Sequence, residues 1–357
     1  MSFSLEPKSD LHLLSSLLAC ELYFGAWMKE VVGSAATRAI QRGQPVPTEW
    51  QVTGLLALVV CLCVIGLFWP TIRSTIEIWE SSRTFSHGFL VLPATGYLIW
   101  CYREKLTPLV PTPSAGGVVA LIGAESGWVA GYLMNLEWLQ QAAVIALLPG
   151  LVWILLGTQI VQVLLWPLGF LVFMLPVGTS IEPWLQDLTA WLILVGLKIT
   201  GIPYLYKDYL ITVPSGTWEV AADCGGLRYL LPGLALGYAF ATLIYRQPAR
   251  RLTFLIVCAV VLMLANSVRA YGVIVGDYLG IAEGTDHRVF SYTIYGLTMP
   301  LLFWLGLKWK QSEIPDAFPF SRLARPFDPR KAVWASLSAV GVLMLARITV
   351  WLLPASP

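Results

Sequence analysis

Val220–Tyr229 reads V-A-A-D-C-G-G-L-R-Y, and an apolar segment continues from it to about Tyr245. A bilayer-spanning helix takes about 20 apolar residues, so this stretch is the mouth of a membrane helix. The polar loop ahead of it places Cys224 where water-facing chain turns into that helix. Two later residues are expected at the same level. Arg269 lies near the end of the next apolar segment, and His287 lies just before the one after that.

The rest of the chain shares this apolar character. Of 357 residues, 57% are hydrophobic and 12% charged, with a mean hydropathy of +0.70. A soluble domain carries about 25% charged residues. The expected class is therefore an all-α, polytopic membrane helical bundle of about 8–10 transmembrane helices. Its 16 Trp and 14 Tyr suit membrane interfaces. A net charge of +2 gives no reason to expect a nucleic-acid partner; the lipid bilayer is the expected one. No C-x-x-C pair occurs among the 6 cysteines, so neither a metal, a disulfide framework nor a cofactor is indicated. Cys61, Cys63, Cys101 and Cys258 lie in apolar runs and Cys20 in an amphipathic stretch; Cys224 alone has a polar, glycine-rich setting.

Apolar runs fall at roughly 54–70, 86–102, 116–134, 138–156, 159–176, 184–200, 225–245, 251–274, 288–308 and 332–353. Basic residues orient them, because loops rich in Lys and Arg stay in the cytoplasm. Arg246, Arg250 and Arg251 form such a loop, whereas Asp277, Glu283 and Asp286 mark an outer one. Cys224, Arg269 and His287 then fall near the outer face. Parity requires that one run between the second and the seventh does not cross. The 184–200 run, bounded by Pro183 and Pro203 and interrupted by Gln186, Asp187 and Lys198, is expected to be amphipathic or re-entrant. Residues 201–222 read as a short β-hairpin over the outer face, with Pro214-Ser215-Gly216 as its turn. The expected divisions are a lead-in at 1–53, a transmembrane catalytic domain at 54–308, a cytoplasmic linker at 309–331 and a last membrane helix at 332–357.

A thiol, a guanidinium and an imidazole at one membrane face point to acyl transfer by a cysteine nucleophile. At a helix amino terminus the dipole favours a thiolate, and Asp223 opposes it. Arginine within a span ordinarily faces a cavity or a partner, although near a helix end it also reaches the interface by snorkelling. Asn266, three residues before Arg269, shares its helical face. Arg228 either faces the same cavity or pairs with Asp223. A cysteine nucleophile needs an acid/base within reach, and His287 has a rival in His87, in the S-H-G at the start of the second run. Two other classes fit the composition. A transporter or flippase would use broken helices such as 184–200. A lipid-linked glycan polymerase or ligase would use outer-face Arg and His without a thiol.

The order A-x-C-x-G-L-R, then N-x-x-R late in the next span, then D-H before the following one, resembles the exosortase family. The likeness extends to S-H-G-F-L at Ser86–Leu90, F-M-L-P at Phe173–Pro176 and P-W-L-Q at Pro183–Gln186, and covers roughly 71–305. The resemblance implies Cys224 as nucleophile, with Arg269 and His287 as its catalytic partners. It also implies a bacterial inner-membrane cysteine transpeptidase or protease with its site at the outer face. The implied partners are membrane-anchored exported proteins with C-terminal sorting signals, often Pro-Glu-Pro followed by a membrane helix and a basic tail, together with an acceptor nucleophile. Such enzymes accompany export of exopolysaccharide-linked surface proteins. Gly225 departs from the family, which commonly has serine there.

Overall fold

The computed structural model describes residues 49–221, 225–280, 287–310 and 327–352; the expected lead-in up to residue 48 and most of the expected linker lie outside these. In chain order the helices are α1 (Glu49–Leu67), α2 (Trp69–Ser81), α3 (Gly88–Cys101), the single turn α4 (Arg103–Leu106), α5 (Ala115–Leu133), α6 (Glu137–Leu156), α7 (Thr158–Gly169) and α8 (Glu182–Thr200). Strands β1 (Leu205–Lys207), β2 (Leu210–Val213) and β3 (Gly216–Glu219) follow, then α9 (Leu227–Ile244), α10 (Pro248–Tyr278), α11 (His287–Lys308) and α12 (Pro329–Leu352). Short 3-10 turns at Phe170–Met174 and Thr179–Ile181 lie between α7 and α8.

Five described helices, α1, α5, α6, α9 and α10, are long and apolar enough to cross a membrane. Thr158–Met174 and Thr179–Thr200, bent by 73° at their junction, count together as a sixth span or as a re-entrant loop. The chain is thus a multi-pass helical bundle. The expectation of eight to ten spans also counts α3, which has only 14 residues, α11, and α12, which carries Arg330, Lys331 and Arg347.

The chain divides into two compact units, one of Met1–Arg73, Arg103–Leu165 and Pro319–Pro357, the other of Ser74–Tyr102 and Trp166–Phe318. This division runs across 54–308 and gathers 103–165 with helices from both ends of the chain. In the first unit α1 buries Leu56, Val60 and Val64 at four-residue spacing, a stripe on one helical face. Val60 and Val64 pack with Leu121 and Trp128 of α5, Leu147 and Leu151 of α6 and Leu343 of α12. Arg347 donates from Nε to the Leu67 carbonyl, and its Cζ lies 5.0 Å from the Trp128 ring centroid. A cation on an apolar face is thereby given an acceptor at the end of α1 and an aromatic surface.

In the second unit α10 is central. Phe254, Cys258, Leu262 and Asn266 recur every four residues along its buried stripe, three apolar positions followed by one amide. Small residues on α9 set the register against it. A methyl built on Gly237, Gly233 or Gly226 would meet Cys258, Leu262 or Asn266 in turn, at 3.1, 2.7 and 2.6 Å. Helix α11 closes the group, with the Tyr245 hydroxyl donating to the Gly306 carbonyl at 2.8 Å and Phe240 stacked on Phe303. Arg251, in the first turn of α10, is buried. It donates to the Tyr245 carbonyl (2.8 Å) and the Tyr102 hydroxyl (3.1 Å), with Cζ 4.7 Å from the Trp166 ring.

The expected hairpin is a three-stranded antiparallel meander, β1-β2-β3. Asp208 and Tyr209, both at positive φ (51° and 63°), make the first two-residue turn, which suits strand twist. Pro214 and Ser215 make the second, since Val213 pairs with Gly216. One face is dry: Ile211, Val213 and Val220 pack on Ala190, Ile193 and Leu197 of α8 and Ile274 of α10. Strand alternation thus seats the sheet on α8 and on α10, the helix that carries Asn266 and Arg269.

Candidate active site

The sheet feeds directly into the segment of interest. Val220 still pairs with the ladder, its N–H donating to the Tyr209 carbonyl at 2.9 Å. Its own carbonyl is taken by Gln186 of α8, whose Nε2 donates at 2.6 Å. Three residues follow Ala221 before the described chain resumes at Gly225. Asp223 and Cys224 are among them and lie outside the described residues.

Gly225 packs closely on α8. A methyl on Gly225 would sit 3.1 Å from the Gln186 backbone nitrogen and 3.3 Å from the Glu182 carbonyl. Gly226 caps α9 in a left-handed conformation (φ +91°), which only glycine adopts without strain, and it faces Asn266. The two glycines thus allow close packing of this segment on α8 and α10.

Beyond Gly226 a polar chain links four helices. The Tyr229 and Tyr295 rings stack at 4.1 Å with 15° between planes. The Tyr295 hydroxyl donates to Asn266 Oδ1 (3.2 Å), and Asn266 Nδ2 donates to Thr189 Oγ1 (3.3 Å). Asn266 and Thr189 are both buried, so their pairing meets the requirement that buried polar groups be satisfied. Both arginines converge on Tyr229. Arg228 donates to its hydroxyl at 2.9 Å with Cζ 5.0 Å from the ring, and Arg269 Cζ lies 5.7 Å from it. Arg228, Arg269 and Asn266 are thus brought together, one turn apart along α10 and across to α9. This places two positive charges beside one aromatic ring, an arrangement fit to attract an anion or a developing oxyanion.

His287 heads α11, eight residues before Tyr295; its side chain lies outside the described residues. His87 precedes α3, with Nδ1 3.1 Å from the Thr84 carbonyl. Burial pushes its imidazole below the ordinary histidine range, against the opposing backbone contacts of Thr84 and Phe173. These contacts, rather than the Tyr229–Asn266 group, hold His87. Cys258 is fully buried in an apolar cluster with Tyr245, Phe254 and Leu302, the setting of a structural thiol.

Gln186, Thr189, Tyr229 and Tyr295 enter the group without having been singled out for a role. Gln186 and Tyr229 stand inside stretches already quoted. Nothing in the pattern around Tyr295 marks it, because its partner Asn266 is 29 residues away.

The family described as transmembrane exosortase has a model that matches residues 79–304, well over half of the chain. No curated protein and no solved structure gave a match. The matched stretch runs from Trp79 into α11 and contains the whole of the polar group. The chain belongs to the transmembrane exosortase family.

Proposed function

We propose that the chain cleaves C-terminal sorting signals of exported, membrane-anchored proteins at the outer face of a bacterial inner membrane, by way of a Cys224 thioester. The observation that carries this reading is the attachment on both sides of 222–224. One side is tied to α8, and the other faces Asn266, one turn from Arg269 on α10. The chain that resumes at Gly225 thus stands three residues before Arg228 and faces the helix that carries Arg269.

Cys224 Sγ attacks the scissile carbonyl carbon, and the carbonyl oxygen takes the negative charge beside Arg269. The C–N bond then breaks, and the departing amine takes a proton from His287. An acceptor amine or water attacks the thioester carbonyl, returns its proton to His287 and releases the thiolate. Acceptance by an amine gives transpeptidation; acceptance by water gives hydrolysis.

The test is co-expression with a tagged exported protein ending in a sorting motif, one membrane helix and a basic tail. Cleavage is read as a size shift. Cys224→Ala should abolish it at normal abundance. Arg269→Lys keeps the charge but loses the planar fork; it should lower turnover about 100- to 1,000-fold, the scale of losing an oxyanion donor, while substrate still binds. Undiminished cleavage in Cys224→Ala would sink the reading.

A further inference from the structure

We propose that Gln186 is a positioning residue for the thiol, its side chain holding the strand-side flank of the segment that presents it while its helix turn backs the other flank. This rests on the reading of Cys224 as nucleophile. Gln186 meets one flank through its side chain and approaches the other through its backbone. Its side chain donates to the Val220 carbonyl at 2.6 Å, and its own backbone nitrogen lies against Gly225. Only residues 221–224 lie between those contacts.

The adjoining residues of α8 show why this helix turn serves as an anchor. Leu185 is buried with Leu227, Leu230 and Leu262 of α9 and α10, which fixes the turn to the core. Asp187 accepts from the Tyr209 hydroxyl, which fixes it to the sheet. Thr189, one turn on, is bound by Asn266. Gln186 stands between these attachments. In a regular antiparallel ladder the Val220 carbonyl would serve the sheet alone. Here it is engaged by α8 at the point where the chain leaves the sheet for Cys224. Losing that donor leaves a carbonyl to re-orient and lengthens the free tether of the thiol. A misplacement of about 1 Å in a reacting group costs on the order of 100-fold in rate.

The experiment uses the full chain reconstituted in vesicles with the tagged sorting-signal protein, comparing wild type with Gln186→Leu, Gln186→Glu and Cys224→Ala. Leucine keeps most of the volume and removes the donor. Its kcat should fall about 10- to 100-fold with KM unchanged, while iodoacetamide still alkylates Cys224 stoichiometrically. Glutamate keeps the shape but donates only when protonated. Its activity relative to wild type should therefore rise as pH falls and be lost as the carboxyl ionises. A packing role would give Gln186→Leu a normal kcat, or Gln186→Glu a ratio independent of pH; either result overturns the proposal, as does a loss confined to KM. Cleavage by Cys224→Ala at the wild-type rate overturns the nucleophile reading itself. An inactive Cys224→Ala beside a fully active Gln186→Leu overturns only the role of Gln186.

Discussion

At Gly226 two constraints coincide: a positive φ and a side-chain neighbour. Alanine there would be strained by the left-handed backbone and would press on Asn266 at 2.6 Å. Gly225 has only the second constraint, and a milder one, at 3.1 Å. Gly226→Ala should lower stability by about 1–3 kcal/mol and reduce cleavage, with Gly225→Ala losing less of both. Thermal unfolding of the detergent-purified protein checks the order. Gly225→Ser, which supplies the residue common in the family, should also remain folded. His87 makes a pH prediction. Its imidazole is held below the ordinary range by burial, so between the two values the unfolded chain binds more protons. Stability should then fall as pH drops through the ordinary imidazole range, and His87→Asn should flatten that slope.

Among elements, the turn from α9 into α10 depends on Arg251. The loop 246–251 reads as three equivalent cationic markers of the cytoplasmic side, but its arginines are not alike. Arg251 is buried among carbonyls, a phenol and an indole. Arg250 is exposed and reaches the Trp309 carbonyl. Arg251→Ala leaves the Tyr245 carbonyl without its side-chain donor and opens a void against Trp166. It should cost about 2–4 kcal/mol, the range for a broken buried network, against less than about 1 kcal/mol for the exposed Arg250→Ala. Melting temperatures of the two variants decide it.

For the whole molecule, orientation is the quantity that charge alone addresses. Basic residues at 246–251 and acidic ones at 277–286 predict that engineered cysteines near Gln247 are shielded from an impermeant maleimide outside, while those near Glu283 react. The reverse labelling would put the polar group of Tyr229, Asn266 and Arg269 on the cytoplasmic side and remove exported proteins as substrates. The measurement is informative because α10 joins those two loops in one continuous helix of 31 residues.

The sequence by itself determined the solvent of the fold and the residues that are candidates for its chemistry. Composition and run lengths require a membrane bundle because a bilayer demands apolar surface over a set length. Ordered motifs mark Cys224, Asn266, Arg228, Arg269 and His287 because each residue type stands out against apolar neighbours. The short strands were legible from their alternation, although the separation of β1 from β2 needed the Asp208–Tyr209 turn, whose left-handed residues are not glycine. Only the tertiary structure decided the register. That Asn266 meets Gly226, that Tyr295 meets Asn266, and that Gln186 reaches the Val220 carbonyl all depend on packing between elements far apart in sequence. A four-residue stripe names the buried face of one helix. Which residue of the next helix faces it is set by where small side chains let the backbones approach, and that is a property of the pair.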